Sequence, residues 1–259
     1  LRNIKLVIQY DGTNFAGWQR QKDGVRTVQG VLEDALSLAC RQEVKVEGSS
    51  RTDAGVHAFG LCASMLLPDD GIPTDKIPKA TNDILAFDKL EGIGDIKIVS
   101  ATEMPEGFHA RHSAKGKRYI YRIYNCEEKS PFRRSQFYQV AKPLDLERMR
   151  KACEYIKGTH DFKCFETSSN SPRETTVRTI FELDVLKNAV SDKAFQYTVV
   201  VEGDGFLYNM VRIIVGTLVE IGLGKMEPEN VKAIIESKDR GNAGHTAPPQ
   251  GLYLDEVFY

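Results

Sequence analysis

The most unusual stretch of the sequence is Gly48-Ser-Ser-Arg51-Thr-Asp53-Ala-Gly55-Val-His57-Ala, one carboxylate set among small residues. Glycine on either side leaves a backbone that a ligand can approach closely. An aspartate with an ordinary pKa of about 3.9 is ionised by about three orders of magnitude at neutral pH. It can therefore act as nucleophile or base without the partner base that a serine needs. Carboxylate attack at an anomeric carbon has a precedent in the retaining glycosidases. The same residues also suit an ordinary surface turn, because Asp and Gly favour turns on their own account. The Asp-Thr/Ser-Gly order of an aspartic protease is absent; here it is Thr-Asp-Ala-Gly.

Other chemistries find little support. The sequence has no Walker A loop, no His-Glu-x-x-His and no paired cysteines. Gly203-x-Gly205 and Gly222-x-Gly224 are isolated pairs that read as turns. His109 and His112 share a segment but have no third ligand, so no metal is expected, and no cofactor either. The five cysteines, Cys40, Cys62, Cys126, Cys153 and Cys164, are scattered and odd in number. They read as reduced thiols of a cytoplasmic protein. The apolar run Ile213 to Val219 is bounded by Arg212 and Glu220. It falls far short of the about 20 residues a membrane span needs. Leu1-Arg2-Asn3 leads straight into a strand-like run, so no signal peptide is expected.

The elements that must position the motif follow from periodicity. The 259 residues, 41% hydrophobic and 27% charged, suit one or two globular domains with a core of their own. Lys5 to Tyr10 reads as a strand. Val28 to Cys40 is a helix with Val28, Val31, Leu32, Ala35, Leu36 and Ala39 on one face. Val44 to Glu47 alternates weakly as a short strand, and His57 to Leu67 is strand-like. Asp75 to Leu85 reads as a helix and Asp95 to Ala101 as a strand. The second half repeats the theme. Arg118 to Tyr124 and Gln136 to Ala141 are strands. Leu146 to Lys157 is a helix capped by Asp145. Val177 to Leu186 and Ala194 to Glu202 are strands joined by a polar turn. Leu207 to Ile221 and Pro228 to Lys238 are helices, and Leu252 to Phe258 is a closing strand. Two β-α-β-β-α-β halves resemble a duplicated split-βαβ arrangement.

The overall charge of −1 conceals an asymmetry. Between Arg111 and Arg134 eight cations (Arg111, Lys115, Lys117, Arg118, Arg122, Lys129, Arg133, Arg134) face only Glu127 and Glu128, so this segment carries +6. Tyr119, Tyr121, Tyr124 and Phe132 interleave with them. Basic residues among aromatics suit a polyanion with stackable bases. A solvated edge strand guarded by Lys and Arg would read the same way, and both readings stand at this point.

Five blocks together carry a family resemblance. Arg51-Thr-Asp-Ala-Gly-Val-His57 resembles the catalytic motif of the tRNA pseudouridine synthase A family. Tyr10 to Gln21 resembles its first strand and loop, and Phe108-His-Ala-Arg111 with Lys117-Arg-Tyr119-Ile-Tyr121 its second block. Asn209-Met-Val-Arg212-Ile-Ile-Val-Gly216 resembles its active-site helix. Thr246-Ala-Pro-Pro-Gln-Gly-Leu252-Tyr-Leu254 resembles its closing strand in the bacterial form. The blocks run in family order from about residue 4 to residue 258. One departure is the stretch Ile84 to Asp95, which is longer than the family pattern and lacks its Leu-Pro.

The resemblance implies an α+β fold of two ferredoxin-like (split βαβ) halves, residues 1–106 and 107–259, with a central, mostly antiparallel sheet and a cleft between the halves. It implies an isomerase that turns uridine into pseudouridine in the anticodon stem-loop of tRNA (tRNA positions 38–40), with no metal and no cofactor. Asp53 would be the catalytic carboxylate, and Arg212 would pair with it and hold it ionised. Tyr119 would stack on the target base and assist the late proton transfer at C5, with Tyr121 supporting the same strand face. Arg51 would fill the space left by the flipped base, and Leu252 would wall the uracil pocket. His57 would steady the turn. The family acts as a homodimer on one tRNA, with the +6 segment supplying part of a basic cleft. Two rival readings remain at the level of the residues. One is an RNA-binding module in which Asp53 is idle. The other is a retaining glycoside hydrolase, which would need a second carboxylate about 5 Å away.

Overall fold

A computed structural model describes residues 1–22, 24–86, 94–167 and 174–259. The middle of the long Ile84 to Asp95 stretch lies outside the described residues. The chain forms two compact units, residues 1–115 with 253–259, and residues 116–252. As compact units, residues 107–115 and the closing strand thus group with the first, whereas the halves expected from the sequence divide after residue 106.

In the first unit, strand β1 (Arg2–Tyr10) lies between β4 (Ile96–Met104) and β3 (His57–Leu67), antiparallel to both. The short β2 (Glu47–Gly48) pairs with β3 at Ser64 and Ala63. The other end of β3 takes β10 (Leu252–Phe258) in parallel, with Tyr253 opposite His57. Ile4, Leu6, Ile8 and Tyr10 alternate into the core as the period of two requires. Helix α1 (Val28–Cys40) starts where the Thr27 hydroxyl accepts from the Gly30 amide, and ends at Arg41 in the left-handed region (φ 55°). It packs against α2 (Ile77–Ala86).

The strand expected over Val44 to Glu47 is not formed, and the reason is local. The Val44 amide donates to Ser37 Oγ (2.9 Å) and the Val46 amide to Glu33 Oε1 (3.1 Å). Side chains of α1 thus take the amides a strand would have spent on a neighbour, and pairing begins only at Glu47.

In the second unit the strand order is β5 (Gly116–Cys126), β9 (Ala194–Gly203), β8 (Val177–Ser191), β7 (Gly158–Asp161), all antiparallel. Strand β6 (Tyr138–Val140) runs parallel to β5. It starts later than expected because the Phe137 amide is held by the Arg133 carbonyl in a turn (3.1 Å). The β8–β9 hairpin is longer than expected and β7 has no clear pattern in the sequence. Three helices complete the unit: α3 (Leu146–Ile156), α4 (Met210–Gly222) and α5 (Asn230–Ser237). Asp145 caps α3 by accepting from the Arg148 amide, as expected (3.1 Å). Helix α4 begins at Met210 rather than Leu207 because Asn209 is left-handed (φ 61°). Apart from Arg212 and Glu220 it is buried all round, the state of a helix apolar on every face. The two units together are α+β with mostly antiparallel pairing, the class expected.

Candidate active site

The Asp53 loop lies in the first unit, braced by β1 and the loop that follows it. The Tyr10 hydroxyl and the Thr52 hydroxyl share a hydrogen bond of 2.7 Å, and the Trp18 amide donates to the Thr52 carbonyl at 3.0 Å. Trp18 is buried and packs on Gly48, where a Cβ would stand 2.6 Å from its indole. Gly12 lies against the Val56 carbonyl so closely that a Cβ would stand 2.0 Å from the oxygen. Gly55 takes the positive φ of 77° that lets the Val56 amide return to the Asp53 carbonyl (3.1 Å). The result is a fixed turn that keeps Asp53 half-buried and leaves Arg51 exposed.

His57 is fully buried, stacked on Tyr253 at 4.6 Å. Its Nδ1 lies 3.0 Å from the Gly12 amide and 3.1 Å from Asp11 Oδ1. These are alternatives: a nitrogen that accepts from Gly12 has no proton for Asp11. Either way the ring pins the β1 loop to the turn, the steadying place expected for it. The His57 side chain and the Thr13 groups hold the Asp11 carboxyl well below the usual carboxylate range.

Tyr119, Arg212 and Leu252 lie in the second unit. Along β5, Tyr119, Tyr121, Ile123 and Asn125 point to the buried face, while Arg118, Arg122 and Tyr124 share the half-exposed one. The interleaved residues are therefore only partly sorted: Tyr119 and Tyr121 turn inward, while Tyr124 stays on the face of Arg118 and Arg122. Arg118 is paired with Glu202 (3.0 Å). The Tyr119 ring meets Phe206 edge-on at 5.1 Å. Tyr121 donates to the Pro248 carbonyl (2.7 Å), and burial pushes its phenol well up, so it stays a donor. Leu252 is buried, and the preceding Gly251 lies against the Tyr121 ring, 2.6 Å from where a Cβ would stand.

Arg212 is aimed by two acceptors within its own unit. Its Nε donates to the Ala247 carbonyl (2.7 Å) and Nη1 to Asn209 Oδ1 (2.8 Å), while the Ala247 amide returns to the Arg212 carbonyl (3.0 Å). Ala247 belongs to a strap, residues 244–248, laid along the α4 face that carries Arg212, Gly216 and Glu220. The Gly244 amide donates to Thr217 Oγ1 (2.9 Å). A Cβ on Gly216 would stand 1.7 Å from the His245 carbonyl oxygen. His245 binds Glu220 Oε1 through its amide (3.0 Å) and Nδ1 (2.8 Å), and its Nε2 meets the Tyr138 hydroxyl (3.1 Å). Burial alone would lift the Glu220 carboxyl, but the His245 ring and amide more than offset it and hold it below the ordinary value.

No sequence pattern by itself assigns a role to the strap's anchors, Asn209, Gly216, Glu220 and His245. The spacing of Arg212, Gly216 and Glu220 on one helical face was the available signal. Ser50, three residues before Asp53, is buried, and its hydroxyl has no hydrogen-bond partner among the described residues. His109 Nδ1 accepts from the Arg111 amide (3.0 Å), a turn contact. Among the described residues no group of three or more His, Cys, Asp or Glu is arranged to hold a metal, and no helix is long and apolar enough to cross a membrane.

Comparison with known proteins supplies the context for this geometry. The sequence model of a family described as tRNA pseudouridine synthase matches the chain twice, over residues 6–113 and 152–259, in keeping with the duplication inferred from the pattern of elements. The chain is 46% identical to the tRNA pseudouridine synthase A of Acetivibrio thermocellus over 259 residues, all of both chains. It is 47% identical to that of Clostridium botulinum strain Alaska E43, again over all of both. The tRNA pseudouridine synthase A 2 of Clostridium tetani is 44% identical over all of this chain and 99% of its own length. A solved Cbf5–Nop10–Gar1 complex overlaps 97% of this chain and 48% of that chain at 12% identity and a TM-score of 0.37, too loose a likeness to carry weight.

Proposed function

This chain belongs to the tRNA pseudouridine synthase A family, and on that footing we propose that it isomerises uridine to pseudouridine in the anticodon stem-loop of tRNA, with Asp53 as the essential carboxylate. The observation that carries the proposal is the full-length likeness to these enzymes joined to an Asp53 held on a braced, glycine-shaped turn.

The reaction breaks the N1–C1′ bond, turns the base and joins C5 to C1′. The C5 hydrogen leaves as a proton and N1 takes one up, so the change is balanced with no oxidant or metal. Asp53 serves as the nucleophile or base that starts it. Arg212 keeps that carboxylate charged and oriented; its own fixation by Ala247 and Asn209 supports a positioned rather than a wandering cation. Tyr119 stacks on the target base and assists at C5, and Leu252 walls the uracil. Arg51, exposed beside Asp53, takes the place of the flipped base, a movement that costs the stem a few kcal/mol. The enzyme works in the cytoplasm as a homodimer that shares one tRNA.

The test is release of tritium from tRNA carrying C5-labelled uridine, with the intact protein and with Asp53→Ala. Carbon–carbon bond formation at C5 must expel that hydrogen. Release by the intact protein alone is the expected result. No release by either, with tRNA bound by both, would leave an RNA-binding protein in which Asp53 is idle.

A further inference from the structure

The loop between β5 and β6 is held unusually well for a surface connection. The Ser130 amide donates to Gln139 Oε1 (2.7 Å), and Gln139 Nε2 returns to the Ser130 carbonyl (2.9 Å). Pro131 opens a 3-10 turn, Pro131–Arg133, and the Arg133 amide donates back to the Ser130 carbonyl (3.2 Å). Arg134 Nη1 donates to the Pro131 carbonyl (2.7 Å). The Arg133 guanidinium lies over the rings of Tyr124 (4.6 Å) and Phe137 (5.1 Å), and that of Arg122 over Phe137 (5.9 Å). This ordered turn presents Phe132, which is 92% exposed, more than any other large apolar side chain among the described residues.

A rigid mount for a fully solvated aromatic ring favours binding, because the ordering entropy of the loop is met in advance. One ring is far too small for a protein interface, which takes about 800 Å² per partner. One ring is enough for a single nucleobase, and stacking on an aromatic side chain is tolerant of base identity. The charges agree: Lys129, Arg133 and Arg134 flank Phe132 in the chain, against Glu127 and Glu128, which follow directly on β5. We propose that Phe132 is a stacking post for an unpaired base of the RNA substrate, with Arg134 and Lys129 on the adjoining phosphates. This rests on the tRNA-modifying reading and names a second point of grip on the same substrate.

The experiment measures unmodified tRNA binding to the full chain by fluorescence anisotropy for the parent, Phe132→Ala, Phe132→Leu and Phe132→Trp, across a range of salt. Phe132→Ala is expected to weaken binding by about 5- to 150-fold. Phe132→Leu should fall with it and Phe132→Trp should keep parental affinity. The salt slope should stay unchanged in Phe132→Ala but shrink in Arg134→Gln, which removes a phosphate contact. Binding by Phe132→Ala within twofold of the parent would overturn the proposal, as would full binding by Phe132→Leu. A change of oligomeric state in Phe132→Ala by sedimentation would overturn it in favour of a contact between copies. A parent that binds no tRNA defeats the functional reading itself, whereas equal binding by parent and Phe132→Ala defeats only the stacking post.

Discussion

The Trp18 amide donates to the Thr52 carbonyl at 3.0 Å, so the residue before Asp53 is held by the loop that follows β1. The neighbouring Gly17 makes this possible. Its φ is 94°, and a Cβ there would stand 2.7 Å from the same carbonyl oxygen. Gly17→Ala is expected to cost about 1–3 kcal/mol of unfolding free energy and to lower turnover by displacing Asp53. Urea denaturation and tritium release check the two effects separately. Parental values in both would show that the loop does not set the turn.

Gly216→Ala should also destabilise the protein, against the trend for helices. Alanine in a helix interior is ordinarily better than glycine by about 1 kcal/mol. Here the new methyl would meet the His245 carbonyl, a backbone atom that cannot step aside without shifting the strap. The expected sign is therefore a fall in Tm, with activity falling further because Arg212 loses its Ala247 acceptor. A rise in Tm would mean that the strap is not held against α4.

Ser50→Ala should go the other way. A buried hydroxyl without a partner forfeits about 1–3 kcal/mol of hydration, and its removal relieves that. Thermal unfolding should show an unchanged or raised Tm. A loss of more than about 1 kcal/mol would show that the hydroxyl is engaged in the folded protein.

Charge reversal in the β5–β6 loop should weaken tRNA binding strongly, most at low salt. The two arginines are not equivalent. Arg134 is exposed, and Arg134→Glu reverses its charge at the loss of one hydrogen bond to the Pro131 carbonyl, while Arg133→Glu removes a guanidinium from the Tyr124 and Phe137 rings. Far-UV circular dichroism of the double variant should stay parental. Unchanged affinity at low salt would take this loop out of the RNA-binding surface.

The cysteines foretell behaviour at alkaline pH. Burial pushes the Cys153 and Cys164 thiols up to about 12 from an ordinary 9.0. The unfolded chain therefore releases these protons first as pH rises. Their contribution to stability is complete below about pH 9 and is lost between about pH 9 and 12. Denaturation midpoints measured across that window should decline, and less steeply in Cys153→Ala. In the native state at pH 8, iodoacetamide should modify Cys40 and Cys126, which are partly exposed, before the buried Cys62, Cys153 and Cys164.

Much of the molecule was legible without coordinates where one local period dominated. Helix α1, strand β3 and strand β10 run over the residues expected from their spacing. Asp145 caps α3 as its position before the helix implied. The motif around Asp53 stood out because Gly, Ser and Asp cluster there for backbone reasons that act within a few residues.

Other features depended on partners far away in the chain. The Val44 and Val46 amides were captured by Ser37 and Glu33, and a hydrophobic alternation carries no record of such a capture. Helix α4 lost its first turn to a left-handed Asn209 whose side chain also holds Arg212. The strap that aims Arg212 links residues 212–220 to residues 244–248, and the loop that carries the exposed Phe132 is tied by Gln139 to Ser130. The family, the class of chemistry and the elements whose apolar period repeats are all readable in the order of residues. Which amides were already taken, which arginine was aimed and which aromatic ring was left in water emerged on folding. Those outcomes depend on distances between residues remote in sequence, and neither propensity nor periodicity encodes them.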